Sequence, residues 1–225
     1  RKLLSEIFGN LFENNEFPFG TGKFIEIDKT KIWFQRISFV GELGWELYVP
    51  IKESKKIYEL LVKKGKYHNL VHAGRLAMDI MRMEKGYLHW GHDISPEENP
   101  YEAGLGFAVK LDKNYDFIGK DSLIKIKTNQ KKQLVILTLN ESDPGKPLLL
   151  HDEPIYYKGE IVGETTSGNF SFCYNKNIAF GYINSKININ DIEKNDFEIE
   201  VAKNKYSAKI ELKPLHDPKN ILIKN

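Results

Sequence analysis

From Lys131 onward the chain breaks into six short apolar or alternating runs, at 133–140, 155–157, 160–166, 178–184, 196–201 and 206–212. Turn clusters such as Asp143-Pro144-Gly145-Lys146-Pro147 and Tyr157-Lys158-Gly159-Glu160 lie between them. Runs this short can bury their apolar faces only by pairing side by side, so the pattern predicts a small antiparallel sandwich or barrel. Among 225 residues, 41% apolar and 28% charged, there is material for one sizeable core or two small ones, which excludes a disordered chain.

Upstream the texture is mixed. Leu3, Leu4, Ile7, Phe8, Leu11 and Phe12 recur at helical spacing and predict an amphipathic helix over 2–13, stopped at Asn14-Asn15. Phe24 to Ile27 and Ile32 to Phe39 read as strands joined through Asp28-Lys29-Thr30. A third strand, Trp45 to Val49, ends at Pro50, which has no N–H to give a ladder. Helices are expected over 52–64, closed by Gly65, and over His72 to Tyr87, with Ala73, Ala77, Ile80, Met81 and Tyr87 on one side and Arg75 and Asp79 paired at i,i+4. Gly106 to Leu111 reads as a buried strand and 120–127 as a further helix. The fold class is thus α+β: an antiparallel sheet with helices over 1–128, then a small antiparallel sandwich or barrel over 129–225.

The 33 Lys and Arg and 31 Asp and Glu are interleaved and leave a charge of +2, which does not indicate a nucleic-acid or membrane surface. No apolar run approaches the roughly 20 residues of a membrane span. A single cysteine, Cys173, allows no internal disulfide and suits a reducing, cytoplasmic setting. The chain opens at Arg1 inside a helical pattern, and an upstream segment is expected.

Most chemical signatures are absent or weak. Gly20-Thr21-Gly22 lacks the third glycine and the helix of a dinucleotide loop and reads as a turn. His89, His92 and Asp93 lack a second cluster and predict loop hydrogen bonding, with no metal. Cys173 has no activating partner in sequence and reads as a small core residue. The informative stretch runs from Ile37 to Pro50. Strand alternation after Gly44 sets Glu46 and Tyr48 on one face and Trp45 and Leu47 on the other. A carboxylate beside an aromatic can hold a ligand, although a solvated hairpin glutamate is the commoner reading of a lone carboxylate.

This stretch, with Ala73 to Tyr87, Trp90-Gly91-His92-Asp93-Ile94, Pro100 to Gly106, Phe117-Ile118-Gly119-Lys120 and Pro214-Leu215-His216-Asp217-Pro218, resembles the folate-binding aminomethyltransferase (glycine cleavage T-protein) superfamily. The likeness spans nearly the whole chain and is nearer to the carboxy-terminal half of dimethylglycine and sarcosine dehydrogenases than to the T-protein itself. It implies a tetrahydrofolate site with a stacked pterin held by a glutamate. The pterin edge offers an exocyclic amino group and a ring N–H as parallel donors, which one carboxylate can accept together. Carried over, the resemblance makes Glu46 that acceptor and Tyr48, Phe39 and Phe107 the aromatics that wall the ring.

Two departures matter. Met78 stands where the T-protein has an arginine before the helix aspartate, which favours the dehydrogenase branch. Nothing before Gly41 matches the segment carrying the family's catalytic aspartate, and Asp28 in its hairpin turn is no substitute. In the family's reaction N5 of tetrahydrofolate attacks a methylene iminium formed by flavin oxidation or delivered on a lipoyl arm. The resemblance therefore implies the tetrahydrofolate-binding portion of a one-carbon transfer enzyme, inactive alone, with FAD only in an upstream flavin domain of the same protein. Alternatives are a non-catalytic folate-binding scaffold and a T-protein-like methyltransferase or demethylase.

Overall fold

The computed structural model describes residues 1–140, 142–189 and 196–225. These form two compact units: Arg1–Lys85 together with His216–Asn225, and Gly86–Leu215.

The first unit holds α1 (Lys2–Phe8), β1 (Gly22–Ile27), β2 (Thr30–Gln35), β3 (Glu46–Tyr48), α2 (Ile51–Gly65) and α3 (Arg75–Glu84). Its sheet has the order β1-β2-β3, antiparallel throughout. The β1–β2 turn is tight because Asp28 and Lys29 both adopt positive φ, 47° and 66°, the geometry whose twist matches that of the paired strands. One sheet face buries Ile25, Ile32 and Phe34 against Leu4, Phe8, Phe12, Phe17 and Ile57, with Trp45, Leu47 and Val49 packed alongside. The rings meet edge to face, Phe8 on Phe34 at 5.0 Å and Phe12 on Trp45 at 5.4 Å.

Two helices differ from expectation. α1 stops at Phe8, because Gly9 takes φ 88°, yet Phe12 still reaches the core from the irregular segment that follows. α3 begins only at Arg75, after an extended Gly74, and its first turns are exposed, Leu76 at 79%. Burial falls instead on Arg82, Met83 and Glu84. Asp79 accordingly pairs with Arg82, Nε to Oδ1 2.8 Å, rather than with Arg75, since a buried guanidinium requires a nearby counter-charge.

In the second unit the six predicted runs become β4 (Lys132–Leu139), β5 (Pro154–Tyr157), β6 (Glu160–Ser171), β7 (Lys176–Asn184), β8 (Phe197–Val201) and β9 (Asn204–Glu211), preceded by α4 (Lys120–Ile126). They close into a barrel, β4-β7-β6-β5-β8-β9, with β9 pairing back onto β4. Closure leaves no free sheet edge and encloses Leu137, Leu139, Ile155, Ile183, Phe197 and Ile199. The strand expected at Gly106 to Leu111 is instead one 3-10 turn, Gly106–Ala108. The Ala108 and Val109 N–H groups bond to the Leu105 and Gly106 carbonyls three residues back, so the backbone is satisfied locally. Cys173 is exposed, because it falls in the turn after β6 and not within the strand.

Candidate functional site: the outer face of the three-stranded sheet

Because side chains alternate across a strand, burying Trp45, Leu47 and Val49 commits Glu46 and Tyr48 to the opposite face of β3. There the Tyr48 hydroxyl donates to Glu46 Oε2 at 2.8 Å. That bond, and then the carboxylate's charge, raise the Tyr48 phenol, so it remains a neutral donor. Among the described residues Tyr48 is the one hydrogen-bond donor to Glu46, and Oε1 accepts from none of them.

Register adds neighbours that alternation alone does not show. Gln35 stands opposite Glu46 and Trp33 opposite Tyr48, while Phe24 stands opposite Trp33 across β1. Trp33 and Phe24 meet edge to face at 5.0 Å. Gly22 is required beneath them: a Cβ there would lie 2.3 Å from the Trp33 ring. The face thus carries an aromatic row, Phe24, Trp33 and Tyr48, ending beside a carboxylate and an amide. Sequence reasoning missed Trp33 and Gln35. They share a strand phase with each other, but only the pairing of β2 with β3 sets them against Tyr48 and Glu46.

The other two expected residues are not on the strands of this sheet. Phe39 is half-buried in the irregular segment 36–45 that leads into β3. Phe107 belongs to the second unit and is 75% exposed. Arg36, which opens the 36–45 segment, is 1% exposed and lies 5.5 Å from the Trp45 ring. Its Nη1 donates to the Phe17 carbonyl at 2.5 Å, and its Nη2 to Asn14 Oδ1 and the Lys224 carbonyl, each at 2.7 Å.

Several other titratable residues of the motifs have structural partners. Asp28 pairs with Lys56 on the surface at 3.1 Å. Asp93 is fully buried and accepts from the His89 N–H and from the Thr166 and Ser167 hydroxyls. The His89 and His92 rings stack at 4.7 Å. A cleft of about 740 Å³ in the second unit is lined by His92, Glu98, Lys132, His151 and Tyr182, among others. Within it Lys132 pairs with Glu98, and His151 Nδ1 lies 2.7 Å from Asp152 Oδ2.

Comparison with known proteins finds the GCVT N-terminal domain over residues 1–113 and the glycine cleavage T-protein C-terminal barrel domain over 132–217. The chain is similar to mitochondrial sarcosine dehydrogenase of Mus musculus, 34% identical over all of this chain and 24% of that one. It is similar to mitochondrial dimethylglycine dehydrogenase of Homo sapiens, 35% identical over 96% of this chain and 24% of the relative. The chain spans about a quarter of the length of these curated relatives. Among solved structures, the glycine cleavage system aminomethyltransferase T from Bartonella henselae superposes with a TM-score of 0.81 at 22% identity, over 96% of this chain and 57% of that one, which shows the fold. With both domain models matched in order, the chain belongs to the glycine cleavage T-protein family of aminomethyltransferase-type proteins.

Proposed function

We propose that this chain is the tetrahydrofolate-binding portion of a one-carbon transfer enzyme of the dimethylglycine and sarcosine dehydrogenase kind, with Glu46 as the group that accepts the pterin. One observation carries the reading: a strand carboxylate whose Oε2 takes the Tyr48 hydroxyl and whose Oε1 accepts no hydrogen bond among the described residues, at the end of an aromatic row. An aromatic bicycle with two parallel N–H donors on one edge fits such a face, because stacking and charge-assisted hydrogen bonding act at right angles and do not compete. Tyr48 and Phe39 are proposed to border the ring. Phe107, in the second unit, is proposed as a further aromatic contact to be judged from its own variant. Bound folate would supply the N5 nucleophile, and the residues named here bind and orient it.

The proposal is for binding and not for turnover by this chain. Neither a flavin dinucleotide fingerprint nor a counterpart of the family's catalytic aspartate occurs in the sequence, so the oxidising domain is proposed to be a partner supplied by the same protein. Titration calorimetry with 5-formyltetrahydrofolate tests the reading. Glu46→Gln should weaken binding by roughly 1.5–3 kcal/mol, the loss of a charge-assisted pair, whereas Phe39→Leu and Phe107→Ala should each lower affinity less. Equal affinity for Glu46→Gln and the parent would remove Glu46 from the site.

A further inference from the structure

We infer that the carboxy-terminal segment His216–Asn225, through Lys85 and Glu42, is a clasp that fixes the 36–45 segment and so positions Glu46. The motif Pro214 to Pro218 has no place in the ligand site itself, yet the first unit includes residues 216–225. Their polar groups converge on the segment that leads into β3.

Three attachments make the clasp. At its start the segment is held through Arg36, whose buried guanidinium donates to the Lys224 carbonyl at 2.7 Å. At its middle Gly41 adopts φ 76° and rests directly on the Lys85 stem: a Cβ there would lie 2.7 Å from Lys85 Cγ and Cδ. Lys85 is 3% exposed, and its Nζ donates to the Asp217 carbonyl at 2.7 Å and to Asp217 Oδ2 at 3.0 Å. One residue on, Glu42 Oε1 lies 2.7 Å from His216 Nε2, and the His216 N–H donates to the Glu84 carbonyl at 2.9 Å.

The tail is itself tied together at this point. Asp217 accepts the Ile221, Leu222 and Ile223 N–H groups, which closes a turn that buries Ile223. The segment 36–45 belongs to no helix or strand, so ladder hydrogen bonds do not set its path. A carboxylate meant to meet two donors at once must be held to a fraction of an ångström by such supporting groups. Lys85, Asp217 and His216 are therefore positioning residues: they act on Glu46 through the backbone of the segment before it.

The ligand in this inference rests on the folate reading, but the ordering of the segment does not, and the experiment separates the two. Asp217→Asn, Lys85→Met, which retains the stem beneath Gly41, and Glu42→Gln at a half-exposed position are compared with the parent. Ile57→Val serves as a core variant on the far face of the sheet. Two quantities are read, amide hydrogen exchange of residues 39–47 and the Kd for 5-formyltetrahydrofolate. The expected result is faster exchange at 39–47 and about tenfold weaker folate binding for Asp217→Asn and Lys85→Met. Glu42→Gln should show a smaller change of the same sign, and Ile57→Val neither at matched loss of thermal stability. Unchanged exchange at 39–47 in every clasp variant that folds overturns the clasp, as does the same exchange pattern in Ile57→Val. Should the parent bind no folate, the folate reading fails and exchange alone decides the clasp.

Discussion

At the scale of single residues, a carboxylate's value depends on what holds its proton away. The Tyr48 hydroxyl donates to Glu46, and that bond raises the Tyr48 phenol. Asp217 shows the opposite balance. Burial alone would raise its carboxyl, but the Ile221 N–H, the Lys85 ammonium and the Leu222 and Ile223 N–H groups outweigh burial and hold it at about 2, against an ordinary 3.8. A carboxylate whose folded pKa is depressed stabilises the fold above its unfolded value and loses that contribution as pH falls through the folded one. The stability difference between the parent and Asp217→Asn, from urea melts, should therefore be constant from about pH 7 to about 4 and shrink between about 4 and 2. A difference that already shrinks between about pH 7 and 5 would contradict the assignment.

At the scale of elements, the sheet face is built by register. Periodicity in the sequence was enough to place the alternation of β3, the β1–β2 hairpin, α2 and all six barrel strands, because each is a local pattern of apolar spacing closed by turn residues. It was not enough to pair Trp33 with Tyr48 or Gln35 with Glu46, since which residues oppose one another depends on the irregular connection 36–45. It also overran α1, where Gly9 weighs more than the apolar spacing, and supplied a strand at Gly106 to Leu111, where the chain satisfies its own backbone in a turn. The aromatic row yields a prediction at this scale. Gly22→Ala places a methyl inside the Trp33 ring envelope and should cost about 1–3 kcal/mol of stability. It should also turn Trp33 away from Tyr48 and weaken folate binding. Calorimetry and thermal melts showing no change in either would mean that the Trp33 ring moves without consequence.

At the scale of the whole molecule, the division of the chain into compact units is set by contacts between residues far apart in sequence. The family models leave residues 114–131 unmatched between them, and the boundary proposed near residue 128 lies in that interval. The compact units part earlier, after Lys85, because long-range polar contacts join the intervening segment to the barrel. Asp93 binds the Thr166 and Ser167 hydroxyls, Tyr182 donates to the Asp93 carbonyl, and Glu102 accepts the Lys131 and Leu134 N–H groups through its side chain and carbonyl. Contacts between residues 29 to 89 apart leave no local trace in a sequence. Residues 127–129 are exposed after α4, so limited proteolysis should cut there first, and cleavage mainly within 133–212 would contradict that boundary. The central claim, that this molecule holds a reduced folate on Glu46, is tested most directly by calorimetric titration of 5-formyltetrahydrofolate into the parent and Glu46→Gln at equal folded stability. The account predicts binding to the parent and an affinity about 10- to 150-fold weaker for the variant; no heat of binding to the parent, or indistinguishable isotherms for the two, would contradict it.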